Sequence, residues 1–208
     1  MTLVVREIFD SLQGEGFWTG TPMTFIRLSG CNAPELGLGC LEWCDTPESW
    51  DPEAGRSMET EFILDQVRLP RLCLTGGEPL LQREGVGDFL RQAARRLLRV
   101  HLETNGTIAP GGALATDGGV VWSTVSPKPP DYVVADGWQG LVNELKLVLD
   151  DTLDAATAER LAARFPSAVV CIQPVWDACL QERTEQAIAL VMAHPEWRLS
   201  LQMHKSLG

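Results

Sequence analysis

The sequence predicts an α/β fold in which about six parallel strands form an open, partial TIM-like barrel. Short apolar runs rich in β-branched residues alternate along the chain with longer segments whose apolar residues recur at helical spacing. Strands and helices that alternate in this way form right-handed βαβ crossovers and a parallel sheet. The chain has 208 residues, fewer than the roughly 250 of a closed eight-stranded barrel. We therefore expect one domain, spanning residues 1–208, with a barrel that does not close.

The first elements surround a loop that contains three cysteines. Residues 3–9 are predicted to form a short strand, and residues 10–20 a glycine-bearing loop. The apolar run at residues 24–28 predicts a strand, which Ser29 and Gly30 end immediately before the first cysteine. After the cysteine loop, apolar residues at helical spacing predict a helix at residues 58–68.

The rest of the chain alternates between strands and amphipathic helices. Further strands are predicted at residues 71–74, 99–104, 120–123, 143–148, 168–172 and 198–202. Further helices are predicted at residues 88–98, 154–164 and 179–192. The segment 109–119, rich in Gly, Ala and Pro, is predicted to be a mobile loop.

Charge and hydropathy restrict the partners. Seventeen basic and 28 acidic residues leave a formal charge of −11, which argues against binding to nucleic acid or to an anionic membrane. No apolar run is long enough to span a bilayer, and Arg6 and Glu7 lie where a signal peptide would have its apolar core. We therefore expect a cytoplasmic protein that acts on a small molecule, with no nucleic-acid or membrane partner.

Three of the six cysteines, Cys31, Cys40 and Cys44, lie on one loop and are called the cysteine triad below. Three thiolates can hold three irons of a [4Fe-4S] cubane and leave the fourth iron open to chemistry. The alternative is a structural zinc site completed by a histidine or another cysteine. Gaps of eight and three residues fit common zinc signatures poorly and favour the cluster.

The other three cysteines receive no function. Cys73 and Cys171 lie inside apolar strands and are interpreted as small buried side chains. Cys179 lies near the start of a predicted helix.

Polar residues follow the predicted parallel strands, and such strand ends meet at one rim of a barrel. Besides the cysteine triad, these groups lie at residues 75–79, 103–106, 126–128, 173–174 and 202–205. Any one of them could be a polar turn, but together they indicate a ligand site. Arg27 is unusual because it interrupts an apolar strand; its guanidinium calls for a carboxylate, from the substrate or from the protein.

The segments SLQGEG, FIRLSGCN, WCDT, TGGEP, SPK, QP and LQMHKSLG, taken together, resemble the 7-carboxy-7-deazaguanine synthase family of radical S-adenosylmethionine enzymes, which act in the queuosine pathway. The resemblance covers nearly the whole chain and implies a radical S-adenosylmethionine core fold. The cysteine spacing departs from the usual CxxxCxxC of that superfamily, although this family includes members with a long insertion after the first cysteine. We predict that the additional residue between Cys40 and Cys44 is absorbed before Trp43.

The resemblance also implies a reaction. Reductive cleavage of S-adenosylmethionine would yield a 5′-deoxyadenosyl radical, which converts 6-carboxy-5,6,7,8-tetrahydropterin to 7-carboxy-7-deazaguanine with loss of ammonia, so that the enzyme is a carbon–nitrogen lyase. Mg²⁺, a homodimer and an electron donor such as a flavodoxin or a ferredoxin are implied as well. The rival hypotheses are another small radical S-adenosylmethionine enzyme, such as a glycyl-radical activase, and a non-enzymatic zinc- or cluster-binding module.

The site residues are likewise implied by the resemblance, motif by motif. Catalytic or substrate contacts fall to Leu12, Gln13, Gly14, Glu15, Arg27, Thr75 and His204. Contacts to S-adenosylmethionine fall to Leu41, Glu42, Trp43, Gly76, Gly77, Glu78, Glu103, Ser126, Pro127, Lys128 and Gln173. Metal ligands are Cys31, Cys40 and Cys44 for the cluster and Thr46 for Mg²⁺. Lys146 and Lys205 stay open between site and surface.

Overall fold

The computed structural model describes residues 1–116 and 118–207. Its strands are β1 (Thr2–Leu12), β2 (Pro22–Leu28), β3 (Arg56–Glu59), β4 (Arg71–Gly76), β5 (Arg99–Thr104), β6 (Val120–Val125), β7 (Glu144–Leu149), β8 (Val169–Pro174) and β9 (Arg198–Leu199). Its α-helices are α1 (Ala33–Leu36), α2 (Thr60–Leu64), α3 (Arg83–Arg95), α4 (Ala155–Arg164), α5 (Leu180–Ala193) and α6 (His204–Leu207). Single turns of 3₁₀ helix lie at Gly39–Glu42, Pro47–Ser49, Pro79–Gln82 and Gly111–Leu114.

Within the described residues, one nine-stranded sheet has the order β3-β1-β2-β4-β5-β6-β7-β8-β9. The neighbours from β2 through β4 to β9 are parallel, whereas β1 pairs antiparallel with both β2 and β3. The sheet ends at β3 and β9 and does not close. The predicted open, partial barrel is thus confirmed, with an antiparallel edge that the sequence did not predict.

The two faces of the parallel strands differ because successive side chains point to opposite faces. One set of residues is apolar and packs against the helices: Leu72, Leu74, Leu102, Leu145 and Leu147 of the sheet with Phe89 and Leu90 of α3, Leu161 of α4 and Ala187 of α5. The alternate positions carry Cys73, His101, Glu103, Thr124 and Lys146. Each buried leucine contributes about 1.5–3 kcal/mol, so the core lies between sheet and helices and the barrel interior is free to be polar.

The loop between β1 and β2, residues 13–21, covers the gap that the open sheet leaves beside β9. The backbone nitrogen of Gly16 donates to Ser200 Oγ at 2.8 Å, and that of Met203 donates to the carbonyl oxygen of Gly14 at 3.0 Å. Phe17 of this loop stacks on Trp122 of β6, with ring centroids 4.8 Å apart. The loop therefore lies against the barrel interior instead of extending into solvent.

Of the element boundaries that differ from the sequence prediction, three are set by pairing or contact with a distant segment. The helix predicted at residues 58–68 is shortened to α2, because the preceding residues pair with β1 as strand β3. Strand β1 runs beyond residue 9, since its pairing with β2 continues to Leu12 opposite Pro22. Strand β9 ends at Leu199, where the chain turns toward the β1–β2 loop.

Other predictions concern boundaries that local chemistry sets. Helix α4 begins where predicted because Asp154 Oδ1 accepts a hydrogen bond from the backbone nitrogen of Thr157 at 2.8 Å. The segment 109–119 contains the 3₁₀ turn Gly111–Leu114, and residue 117 of this predicted loop lies outside the described residues.

No described helix has the length and apolarity needed to cross a membrane. The single domain stays a prediction.

Candidate active site

A cavity of about 630 Å³ opens at the carboxyl ends of the parallel strands. Its walls bring together most of the residues that the motifs implied. These are Leu12, Gln13, Gly14, Glu15, Arg27, Thr75 and His204, together with Trp43, Gly76, Gly77, Glu103, Ser126, Lys128, Gln173, Thr46 and the cysteine triad. Leu41, Glu42, Glu78 and Pro127 are not among the described residues that line it.

The cysteine triad forms one wall. Cys31 follows β2 after Ser29 and Gly30, Cys40 lies in the 3₁₀ turn Gly39–Glu42, and Cys44 accepts a hydrogen bond from Trp50 Nε1 at 3.4 Å. Burial, with the smaller effects of Glu78 and the neighbouring thiols, raises the pKa of Cys31 to about 11, although the hydrogen bond from the backbone nitrogen of Ala33 opposes the rise. Burial also raises the pKa of Cys40, against the opposing charge of Lys128. The positive charge of a bound metal would favour the thiolate forms of Cys31 and Cys40.

The spacing of the triad distinguishes a cluster from a single ion. Thiolates on one tetrahedral zinc ion, each about 2.3 Å from the metal, lie about 3.8 Å apart. Among the described residues, the three sulfurs do not all lie within 4.8 Å of one another. Sulfurs that each bind a different iron of a cubane are farther apart, so the donor set and its spacing fit a [4Fe-4S] cluster better than zinc.

The 3₁₀ turn Gly39–Glu42 contains Leu41 and Glu42, two of the three residues between Cys40 and Cys44. That the additional residue is absorbed before Trp43 stays a prediction. Leu41 packs against the apolar cluster of Ala33, Leu38 and Cys40, whereas Glu42 is exposed. Trp43 follows the turn and lines the cavity, with its indole nitrogen 3.3 Å from Asp150 Oδ2 and Lys128 Nζ 5.4 Å from its ring centroid.

The glycine pair after β4 packs directly on the start of the cysteine loop. Gly76 has a φ of +148°, which side-chain-bearing residues rarely adopt, and a Cβ added at Gly77 would lie 2.7 Å from the Cβ of Cys31. The backbone nitrogen of Glu78 donates to the carbonyl oxygen of Gly30 at 2.9 Å. The glycines therefore let backbone amides and carbonyls reach the cavity beside the cysteine triad.

Glu78 itself braces the loops after β4 and β5. Its carboxylate accepts hydrogen bonds from the backbone nitrogens of Leu80 (2.9 Å) and Asn105 (2.7 Å) and from Thr104 Oγ1 (2.8 Å). Burial raises the pKa of Glu78, and these hydrogen bonds oppose the rise. The side chain is fully engaged within the protein, and its backbone is what adjoins the glycine pair.

A buried charge network forms the floor. Lys146 Nζ lies 2.5 Å from Glu15 Oε2, and both side chains are largely buried. Burial alone would raise the pKa of Glu15, but the charge and hydrogen bond of Lys146 outweigh it and lower that pKa to about 2. Burial likewise acts to raise the pKa of Glu103, but the charge of Lys146 outweighs it and lowers that pKa. Burial would lower the pKa of Lys146, yet Glu15 and Glu103 raise it. All three groups are charged at neutral pH.

Comparison with known proteins identifies the family. The chain is 35% identical over 208 residues to the 7-carboxy-7-deazaguanine synthase of Synechocystis sp., and the match covers 98% of this chain and 92% of that enzyme. It is 38% identical over 228 residues to the 7-carboxy-7-deazaguanine synthase of Bradyrhizobium diazoefficiens, with 100% and 99% coverage. The chain belongs to the 7-carboxy-7-deazaguanine synthase family. No family model matches the chain.

The crystal structure of QueE from Escherichia coli has the same fold as this 7-carboxy-7-deazaguanine synthase family member. The two align with a TM-score of 0.77 at 25% identity, over 98% of this chain and 95% of the other. The family resemblance and the fold class predicted from the sequence are therefore confirmed.

Arg27, on the wall formed by β2, has a protein partner. Its Nε donates to Glu7 Oε1 at 2.7 Å, and the guanidinium lies 5.9 Å from the ring centroid of Phe9. Of the two partners considered from the sequence, the protein carboxylate is present, although Arg27 also lines the cavity. In this family member, Arg27 is held against the wall by Glu7 and still lines the cavity.

The C-terminal segment lies at the mouth of the cavity. Lys205 Nζ lies 3.5 Å and His204 Nε2 3.8 Å from Asp45 Oδ2. Gln202 Nε2 donates to Glu15 Oε1 at 2.7 Å and so connects this segment to the floor.

From the sequence, Lys146 could belong either to the site or to the surface, and Asp45 was not among the candidate site residues. The structure buries Lys146 at the centre of the floor with 7% of its surface exposed. Two charged residues two positions apart, Glu144 and Lys146, within an otherwise apolar strand were the available signal, because both must face the same side of β7. Asp45 lies within the WCDT segment, between two selected residues.

Proposed function

We propose that this protein is a radical S-adenosylmethionine lyase that converts 6-carboxy-5,6,7,8-tetrahydropterin to 7-carboxy-7-deazaguanine with loss of ammonia. The observation that carries the proposal is a cavity in which the cysteine triad, the glycine pair and the β1–β2 loop meet, in a chain whose full-length relatives are named 7-carboxy-7-deazaguanine synthase.

The donor set supports the cofactors. The cysteine triad would hold a [4Fe-4S] cluster, and the backbone of Gly76 and Gly77 with Ser126, Lys128 and Gln173 would hold S-adenosylmethionine. When bound, these groups supply one-electron cleavage of the sulfonium and a 5′-deoxyadenosyl radical. Mg²⁺ is proposed at Thr46, whose Oγ1 lies 3.8 Å from Cys44 Sγ and faces the same cavity.

The remaining lining residues bind and orient the substrate. Arg27 offers a guanidinium to the substrate carboxylate, and Gln13 and Glu15 offer acceptors to the N–H groups of the pyrimidinone edge. Glu103, which the resemblance implies as a contact to S-adenosylmethionine, accepts a hydrogen bond from Gln13. Lys146 keeps both carboxylates ionised, so that they accept hydrogen bonds and do not donate them. An alkyl radical must react only with its substrate. The β1–β2 loop and the C-terminal segment therefore limit the access of water to the cavity.

The partners follow from the same proposal. An electron donor such as a flavodoxin or a ferredoxin would reduce the cluster, and two copies of the chain would form a homodimer in the cytoplasm. Neither nucleic acid nor a membrane is proposed as a partner, because the chain has a formal charge of −11.

Anaerobic reconstitution tests the proposal. We expect close to four irons and four sulfides per chain, and conversion of the pterin to 7-carboxy-7-deazaguanine with S-adenosylmethionine and a reductant, followed by mass spectrometry. Cleavage of S-adenosylmethionine without pterin turnover would favour a different radical enzyme. Stoichiometric zinc without iron would favour the binding module.

A further inference from the structure

The side-chain amide of Gln13 is held in a socket below the cavity. Gln13 is 3% exposed, and its nitrogen lies 2.9 Å from Glu103 Oε1, 3.2 Å from His101 Nδ1 and 4.0 Å from Cys73 Sγ. The three partner side chains come from the adjacent strands β4 and β5, and their ligand atoms all lie within 4.8 Å of one another. None of these three side chains belongs to the cysteine triad. Cys73 and His101 have no role in the proposed function, whereas Glu103 and Gln13 line the cavity.

A Cys, His and Glu group of this size could in principle hold a metal ion. Zinc would need the nitrogen, sulfur and oxygen atoms at about 2.0–2.3 Å from one central point. The amide nitrogen of Gln13 is the common partner of all three atoms and occupies the space between them. The geometry is therefore that of a socket for an amide group.

The orientation of the amide follows from Glu103. Since Glu103 is ionised and can only accept hydrogen bonds, the Gln13 atom that faces it must be the nitrogen. His101 Nδ1 must then accept the second amide hydrogen, so the ring proton is on Nε2.

The other side of the histidine agrees with this assignment. His101 Nε2 lies 2.8 Å from Thr124 Oγ1 and donates to it, and Thr124 donates in turn to Glu144 Oε2 at 3.2 Å. Glu144 Oε2 also accepts from Trp122 Nε1 at 3.1 Å. The chain of hydrogen bonds therefore runs in one direction, from the amide of Gln13 to a buried carboxylate.

Both amide hydrogens of Gln13 are thus used within the protein. Its oxygen accepts one hydrogen bond, from the backbone nitrogen of Glu15 at 3.2 Å, and a second lone pair remains. We propose that His101 is a positioning residue that holds the amide of Gln13 with its oxygen toward the cavity, so that Gln13 accepts a hydrogen bond from an N–H group of the substrate. This inference rests on the proposed pterin substrate and deepens it.

Two substitutions of His101 separate orientation from packing. The side-chain oxygen of Asn can take the place of Nδ1 and accept from Gln13, so His101→Asn keeps the acceptor. The longer side chain of Gln reaches the place of Nε2, so His101→Gln keeps the donor to Thr124 and loses the acceptor. Substitution of His194 by the same two residues is the matched control, since His194 stacks on Trp197 away from the cavity.

The KM for the pterin and the rate of S-adenosylmethionine cleavage without pterin are measured on the reconstituted enzyme. We expect His101→Gln to raise KM by about tenfold, the effect of one lost hydrogen bond, with uncoupled cleavage unchanged. His101→Asn should restore a KM close to that of the parent enzyme, and both His194 variants should match the parent. Equal effects of the two His101 variants, or no effect of either, would overturn the inference.

Two further measurements do not depend on turnover. ¹⁵N spectra of the histidine rings should show His101 as the neutral tautomer with the proton on Nε2; assignment is direct because the chain has three histidines. The opposite tautomer, or stoichiometric zinc in the socket, would contradict the proposed role of His101. A parent enzyme without pterin turnover would refute the proposed function, and the tautomer would then decide only whether His101 orients the Gln13 amide.

Discussion

The substitution Lys146→Met tests whether the floor of the cavity is held together by charge. Lys146 lowers the pKa of Glu15 from its ordinary value of 4.5 to about 2, against the effect of burial. Each pKa unit corresponds to about 1.4 kcal/mol, so the fold is about 3 kcal/mol more stable with Glu15 ionised, as at pH 7, than with Glu15 protonated. Methionine keeps most of the side-chain volume but leaves Glu15 buried without its counter-charge. Breaking a buried pair in this way costs about 3–5 kcal/mol.

The pH dependence of the effect has a definite sign. In the parent, the folded pKa of Glu15 lies below its unfolded value, so its stabilisation is complete above pH 4.5 and declines as the pH falls toward 2. In Lys146→Met, burial is unopposed and should raise the folded pKa of Glu15 above 4.5. The variant should then lose stability relative to the parent as the pH rises from 5 to 7.

Urea unfolding of the anaerobic protein, followed by tryptophan fluorescence, measures both effects. The double variant Glu15→Gln with Lys146→Met removes both charges and should recover most of the loss. The matched control is Asp65→Asn, which removes the exposed ion pair with Arg96, 2.7 Å long, and should cost less than about 1 kcal/mol. A Lys146→Met variant within about 1 kcal/mol of the parent at pH 7, or a difference that does not change with pH, would refute the reasoning.

Three other substitutions test the walls of the cavity. Alanine in place of any member of the cysteine triad should abolish iron binding and S-adenosylmethionine cleavage together, as measured by iron and sulfide analysis, whereas the exposed Cys179→Ala should retain both. Gly77→Ala should lower iron content or S-adenosylmethionine affinity, because the new Cβ would lie 2.7 Å from the Cβ of the first triad cysteine; Gly112→Ala, where a Cβ meets nothing within 4 Å, should not. Arg27→Gln should lower kcat/KM for the pterin by about ten- to a hundredfold with the iron content unchanged, and Glu7→Gln should have a much smaller effect because Glu7 is half exposed. Loss of iron in Arg27→Gln would instead place this arginine in the structural core.

Residues that lie close in sequence were predictable as a group. The cysteine triad, the β1–β2 loop and the glycine pair each belong to one segment, and each reaches the cavity. The parallel order of the strands placed those segments at one rim, because strand ends of parallel strands meet there.

Side-chain direction at that rim was less predictable. Glu78 turns to Thr104 and Asn105 and away from the cavity, and Glu42 is exposed on its 3₁₀ turn. Which face a side chain takes in a turn depends on the loop that packs on it, and that loop comes from another part of the chain.

The sequence by itself determined the alternation of strands and helices, the open parallel sheet, the cysteine triad and the family, since these depend on periodicity and on local motifs. Only the tertiary structure decided the antiparallel edge of β1 and β3, the closure of the gap by the β1–β2 loop, and the pairing of Lys146 with Glu15, which lie 131 residues apart. A strand shows which side chains share a face, but the partner they meet depends on the register of the sheet and on a distant loop. Polar residues in the barrel interior are stable only when such distant partners satisfy them.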